Sequence, residues 1–284
     1  MPLRAAFWIL VAVWSTTPLA IQWSGQGPGF ILGLAIRLLI GCFVLVALLV
    51  AYRKPLPWTS AAIKVYLSAS IGIFGSMSLA YWGAQQVASG LISVFFGLTP
   101  FFTALFARLL LDEPRLTARQ YAGIALAVLG LLVIFLTPLK AQANTYAGLG
   151  ALVLSTLLHA FSMTLTKRQH EHFHGLTVTA GGLLLSTPLA FAAWWILDSG
   201  GNPSFPAHAI AAIIYLGVIA TGIGFSVYYY LLKHSTTHSM AIIPLITPPC
   251  ALLLGALINQ ERLALGTWIG VSLVFAGLLV RKFD

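Results

Sequence analysis

Charge is what this 284-residue chain has least of. Asp, Glu, Lys and Arg together make up 7% of it, where a soluble domain carries about 25%. Only six residues are acidic, and none falls near the middle of an apolar stretch, which excludes a catalytic centre of paired carboxylates. The two cysteines, Cys42 and Cys250, both lie inside apolar stretches and read as small apolar residues. They imply neither a disulfide nor a metal site. No nucleophile elbow and no phosphate-binding glycine loop occurs, so neither an enzyme nor an ATP-driven pump is indicated and no cofactor is called for. The one sequon-like triplet, Asn202-Pro203-Ser204, has the excluded proline.

What is present is hydrophobic, 59% of all residues. A soluble fold of that composition would leave a large apolar surface in water. A membrane-spanning helix needs about 20 apolar residues. Ten such stretches can be marked, at about 5–23, 29–51, 61–82, 86–110, 118–137, 146–166, 176–197, 208–232, 238–258 and 264–281. They occupy nearly the whole chain. The first follows a single Arg and resembles a signal peptide, but its length and the spans after it suit an anchor that stays in the membrane.

The net charge of +9 could suggest a nucleic-acid partner, but its distribution argues against one. With the N-terminus in the cytoplasm, 12 of the 15 basic residues fall at cytoplasmic ends: Arg4, Arg53, Lys54, Lys64, Arg108, Arg115, Arg119, Lys167, Arg168, Lys233, Arg281 and Lys282. Only Arg37, Lys140 and Arg262 do not. That asymmetry orients a multi-pass protein with both termini inside. Together with very short outer links, it suits a bacterial inner membrane.

The chain also contains one block twice. Leu98-Thr99-Pro100, Glu113, Gly123 and Gly130 are echoed by Ile246-Thr247-Pro248, Glu261, Gly270 and Gly277. Pro to Glu is 13 positions in both copies, and Gly to Gly is 7 in both. The shift of 148 residues holds five spans, an odd number, so the second copy is expected upside down. The expected fold is all-α, with ten transmembrane helices as two inverted five-helix repeats, 1–139 and 140–284. Inverted repeats are the signature of alternating-access carriers, whose site lies near the bilayer midplane between the repeats.

The link before the fifth span holds Thr117 and Gln120, a capping box that starts that helix. Glu113 just before it, and Glu261 before span ten, stand where a negative charge suits a helix N-terminus. Gly266 with Gly270, and Gly123 with Ala127, are small residues at a spacing that lets helix backbones approach. They serve internal packing of a monomer or the interface of a homodimer. The His170-Glu171-His172-Phe173-His174 run has the ingredients of a metal cluster, but alternation in a loop defines no coordination geometry, and it reads as a solvated link.

This pattern resembles the drug/metabolite transporter superfamily, specifically its ten-span permeases with two EamA-type repeats, the YddG-like amino acid and metabolite exporters. Arg37-Leu38-Leu39-Ile40-Gly41, Ala80-Tyr81-Trp82, Glu113-Pro114-Arg115-Leu116-Thr117 and Tyr228-Tyr229-Tyr230 carry the resemblance along with the duplicated block. It covers nearly the whole chain, marks the fold specifically and the substrate poorly. It implies export of amino acids, other metabolites or drugs. The second copy departs from the first: Gln260-Glu261-Arg262-Leu263 lacks the proline and the Thr cap, so the halves are not equal.

Polar side chains deep in a span are costly and usually face a cavity. The candidate substrate-binding residues are Trp14, Ser15, Thr17, Arg37, Ser76, Ser78, Tyr81, Thr99, His159, Ser162, Thr221, Tyr228 and Thr247. Pro18, Pro100 and Pro248 are candidate kinks, which either line the cavity or only shape packing. Each candidate has a structural alternative. Ser and Thr can bond the carbonyl one turn back. His159 binds or titrates, or is a hydrogen-bonded core residue. Arg37 meets a carboxylate, or snorkels. Tyr81 and Tyr228 stack on substrate or anchor at the interface, whereas Trp14 is too deep for an interfacial anchor.

The expectation is a secondary-active or facilitative carrier of small metabolites, foremost amino acids. Its partners would be the bilayer, a small-molecule substrate and, if coupled, protons. Lacking a central carboxylate, it would work by facilitated diffusion or a His159 proton route. The alternatives are a drug or nucleotide-linked metabolite carrier of the same fold, a channel, and a membrane enzyme or lipid-handling protein.

Overall fold

The computed structural model describes residues 2–111, 117–137, 145–169, 173–198, 201–234, 237–261 and 263–282. Glu113, Arg115, Lys140, Arg262, the 170–172 run and the division at 139/140 lie outside them. Among the described residues all regular structure is helical, in ten runs numbered here in chain order. They are α1 (Leu3–Ser24), α2 (Phe30–Ala51), α3 (Ser60–Gly83), α4 (Ser89–Leu110), α5 (Ala118–Leu136), α6 (Thr145–Gln169) and α7 (Gly175–Asp198). Then come α8 (Ala207–Ile214 continuing through Tyr215–Ile223 and Gly224–His234), α9 (Thr237–Ile258) and α10 (Leu265–Lys282).

Eight of these, α1 to α8, are long and apolar enough to cross a bilayer. The apolar stretches described in α9 and α10, Ile246–Ile258 and Leu265–Val280, are shorter. The all-helical build follows from the solvent: in hydrocarbon each backbone N–H and C=O needs an internal partner, which a helix supplies within one segment. Large apolar side chains such as Phe43, Leu136, Ile196 and Leu257 face outward, as a lipid-exposed surface requires.

Local signals place the helix ends. Thr117 and Gln120 form the expected capping box at α5, and Thr59 Oγ1 accepts from the Ala62 N–H at α3. The chain breaks at Gly97-Leu98, dividing α4 into Ser89–Phe96 and Thr99–Leu110, with Pro100 in the first turn of the second piece. Proline is tolerated there because that N–H has no intrahelical acceptor in any case. Pro100 therefore marks a real break, whereas Pro18 sits inside a continuous α1.

The duplicated glycines join α5 to α10. A Cβ on Gly130 would stand 2.5 Å from the Gly270 carbonyl oxygen, and one on Gly270 2.6 Å from that of Gly130. Gly277 meets Gly123 in the same way. The lower-numbered glycine of one helix thus faces the higher-numbered one of the other, so the two helices run antiparallel. An inverted repeat requires this of its symmetry-related pair. These glycines are used up inside the chain and are not free for a dimer.

The halves interlock. α1 packs on α8 and α9 of the second half, and α6 packs on α3 and α4 of the first. α2 pairs with α7. The main hydrophobic core draws residues from both halves, Leu34, Phe95, Leu152 and Val274 among them.

Candidate functional site

Two stretches depart from α-helical geometry, and they are repeat-related. Ile71–Ser76 in α3 and Tyr215–Ile223 in α8 are π-helical. Shifting the first by 148 residues lays it over the end of the second. Each is wedged against the first two helices of the opposite half. The α3 segment packs on α6 and α7, and the α8 segment on α1 and α2. The close approaches are made through glycines: Gly72 against Ser162, Gly41 against Thr221 and Gly217 against Ile40. π segments occur as local insertions at functional sites, and here both stand where the two repeats pack on each other.

At the α1/α8 junction Trp14 and Tyr228 lie 5.6 Å apart, ring to ring and tilted by 33°. Thr16 Oγ1 and Tyr215 Oη, one on α1 and the other opening the π segment, are 2.6 Å apart. At the α6/α3 junction His159 Nδ1 lies 3.6 Å from a Cβ position on Gly72, and its ring stands edge-on to Phe96 of α4, 5.4 Å between centroids. Ser155 Oγ donates to the Ser76 carbonyl (2.8 Å), and Ser162 Oγ to the Ser68 carbonyl (2.7 Å). Among the described residues, Ser15 Oγ, Ser78 Oγ and His159 Nδ1 are buried without a hydrogen-bond partner. Buried polar atoms are ordinarily paired, so this interior holds unused hydrogen-bonding capacity beside aromatic faces.

Several sequence candidates are satisfied within their own helices. Thr17 Oγ1 donates to the Val13 carbonyl (2.7 Å) and Thr99 Oγ1 to that of Phe96 (2.6 Å). Thr221 Oγ1 reaches Leu216, five residues back, as a π turn dictates. Ser76 and Ser162 are braces between helices. Thr247 and Pro248 are buried in α9, with Pro248 beside the α4 break at Gly97. Arg37 and Tyr81, separate candidates in the sequence, are brought together: Nη1 donates to the Tyr81 hydroxyl at 3.1 Å. The candidate set omits Tyr215 and Phe96. Tyr215 lies two turns inside α8, and the depth criterion that singles out Trp14 would have found it.

A polar network ties four elements at the end of the bundle where α1, α3 and α9 finish. Glu261 Oε1 accepts from the Ser89 N–H at the start of α4 (3.0 Å) and from Asn259 Nδ2 (2.8 Å). Asn259 Nδ2 also donates to Gln22 Oε1 (2.7 Å), and its Oδ1 accepts from Trp23 Nε1 (3.3 Å). Gln22 Nε2 donates in turn to the carbonyls of Ala84 and Val87, both at 3.2 Å. This corrects the expectation for Glu261: its carboxylate serves the N-terminus of α4, across the repeat boundary. The local sequence shows only the nearer helix, α10, and hides the one that folding brings alongside. A shallow cavity of about 280 Å³, lined by Gln22, Gly25, Gln26 and Gln85, lies at the same end.

Residues 3–136 and 146–281 each match the EamA-like transporter family, one match per half. An uncharacterised transporter of Archaeoglobus fulgidus is 29% identical over 97% of this chain and 99% of its own. A protein of Streptantibioticus cattleyicolor named as a probable terminal-alkyne amino-acid exporter is 27% identical, covering 99% of this chain and 94% of its own. One from Escherichia coli named as a probable amino-acid metabolite efflux pump is 27% identical over 69% and 68%. A solved crystal structure, 20% identical, superposes with a TM-score of 0.68 over 99% of this chain and 97% of its own, which places the fold alone.

Proposed function

The chain belongs to the EamA-like transporter family, and on that premise we propose that it exports small metabolites, amino acids foremost, across a bacterial inner membrane by alternating access. The observation that carries this reading is the repeat-related pair of π segments, each wedged against the opposite half beside an aromatic pair and unpartnered polar atoms. Trp14, Thr16, Tyr215 and Tyr228 line one junction and His159, Phe96, Ser76 and Ser78 the other. Substrate binds between them, its apolar part against the rings and its polar groups on the unused hydrogen-bonding atoms.

The export direction rests on the names of the amino-acid relatives. Orientation rests on charge. Arg4, Arg53, Lys54, Lys64, Arg108, Arg119, Lys167 and Arg168 all lie at helix ends opposite the Glu261 network. By the positive-inside rule that end is cytoplasmic and the networked end is periplasmic. All ten helices then cross the bilayer, and both termini are inside. The break in α4 and the π segments are the points at which helices bend as the repeats rock, because the regular hydrogen-bond ladder is already interrupted there.

Counterflow tests the reading. Liposomes holding the purified protein and loaded with unlabelled threonine, methionine or phenylalanine are expected to draw in the labelled amino acid transiently and saturably. Folded protein that exchanges no amino acid would sink the substrate class. Repeating the assay across a pH gradient assigns coupling: a gradient effect that disappears in His159→Ala belongs to that imidazole.

A further inference from the structure

We infer that Arg37 and Tyr81 form a carboxylate-binding subsite, so that the transported molecules are anions or zwitterions held by a carboxylate. The inference rests on the carrier reading above and names the chemistry of one end of its substrate.

Arg37 is buried in α2, only 8% exposed, seven residues in from the start of the helix. Its guanidinium has five N–H donors in a planar fork. Among the described residues only one of these finds an acceptor, the Tyr81 hydroxyl, and Nε is buried with none. A lone cation held inside a membrane protein by one neutral phenol is costly unless a countercharge arrives.

Among the described residues no countercharge stands there. In sequence, the chain's six acidic residues, Asp112, Glu113, Glu171, Asp198, Glu261 and Asp284, all fall outside the middle of an apolar stretch. Glu261 is engaged by Ser89 and Asn259. Asp198 lies against Gly29 at the start of α2, eight residues from Arg37 and so about 12 Å along the helix at 1.5 Å per residue. The missing anion is therefore the cargo.

Tyr81 completes the site. It is 1% exposed, and its ring lies under the guanidinium, 5.8 Å from Cζ to the centroid, which fixes the fork in place. Its oxygen accepts from Nη1, leaving the hydroxyl hydrogen to donate to the same carboxylate that the guanidinium binds. The planar fork suits a carboxylate because it can offer two parallel N–H donors.

The test is counterflow of labelled methionine, competed by unlabelled methionine or by methioninamide, which replaces the carboxylate with a neutral amide. Wild-type protein is expected to prefer the acid. In Arg37→Gln, competition by methionine falls about tenfold or more, the scale of one charge-assisted hydrogen bond, while competition by the amide does not change. Arg37→Lys recovers part of the preference. Tyr81→Phe, which keeps the charge and nearly the whole side chain, weakens methionine about threefold and serves if Arg37→Gln does not fold. A preference for the acid that is undiminished in Arg37→Gln or in Tyr81→Phe, or equal loss for acid and amide in folded protein, overturns the subsite and leaves the carrier reading standing. Wild-type protein that exchanges no amino acid overturns both.

Discussion

Gly270→Leu strongly lowers the thermal stability of the folded protein. Its side chain would enter where the Gly130 carbonyl oxygen stands 2.6 Å from a Cβ position, with Ile134 Cγ1 equally close. Neither is the free end of a flexible chain, because one is backbone and the other belongs to a helix packed along its length. Overpacking of a filled interior costs about 1–3 kcal/mol, and a clash with backbone lies at the upper end or beyond. In lipid the loss counts in full, since helices associate there through close packing and not through expulsion from water. The half-inactivation temperature in detergent, read by size-exclusion recovery after heating, falls by about 10 °C, taking about 3 kcal/mol at roughly 3 °C per kcal/mol. Gly150→Leu is the control: it faces open space on α6, and no atom lies within 4 Å of its Cβ position. It should leave the temperature unchanged or raised, since leucine is the better helix former. Equal behaviour of the two variants would mean that α5 and α10 do not depend on this contact.

Glu261→Ala opens the end of the bundle at which α1, α3 and α9 finish, the periplasmic one in the proposed orientation. The carboxylate takes two charge-assisted hydrogen bonds, from the Ser89 N–H and Asn259 Nδ2, and through Asn259 it holds Gln22 and Trp23 of α1. Such bonds contribute about 1.5–3 kcal/mol each when buried. Glu261 is partly exposed, and solvent screening lowers the joint contribution to about 2 kcal/mol. That is roughly a 30-fold change in the ratio of closed to open forms. Spin labels at Gln85 and Ile258, both exposed and on the two sides of the network, report the change directly. The wild-type distance distribution is dominated by one short peak, and the variant gains a longer one at ten or more times the wild-type weight. Unchanged distributions would show that the network decorates an end held shut by other contacts.

Much of this fold is legible in the sequence because its determinants are periodic or repeated. Apolar stretches of span length give the helices, and the doubled Thr-Pro, Glu and Gly block gives the two halves. The glycine spacing marks helices that approach closely, though not which two meet, and Thr117 with Gln120 gives the start of α5. What escapes is of two kinds. The π segments have no composition of their own: Ile71–Ser76 and Tyr215–Ile223 read as ordinary apolar helix, and only packing against the opposite half inserts the extra residue. Contacts across the chain are hidden as well. Glu261 reads as belonging to α10 because nothing local reveals that α4 starts beside it. Arg37 and Tyr81 read as separate candidates because 44 residues divide them. Residue type alone also cannot tell the braces Ser76 and Ser162 from the back-bonded Thr17, Thr99 and Thr221, which differ only in whether a neighbouring helix brings an acceptor closer than their own does.

One site reached alternately from the two sides of the membrane is the centre of the proposed mechanism, and Thr16 tests it most directly. Its Oγ1 stands 2.6 Å from the Tyr215 hydroxyl at the start of the α8 π segment. A Thr16→Cys protein, with Cys42 and Cys250 replaced by alanine and exchange retained, is reconstituted and treated with a membrane-impermeant thiol reagent from the outside or the inside. The cysteine should be reached from each face, more slowly from the one that the Glu261 network closes while that network is intact, and a transported amino acid should slow labelling from both. A cysteine that never reacts from one face, or whose reactivity ignores an amino acid the protein is exchanging, would place the transport path elsewhere in the bundle.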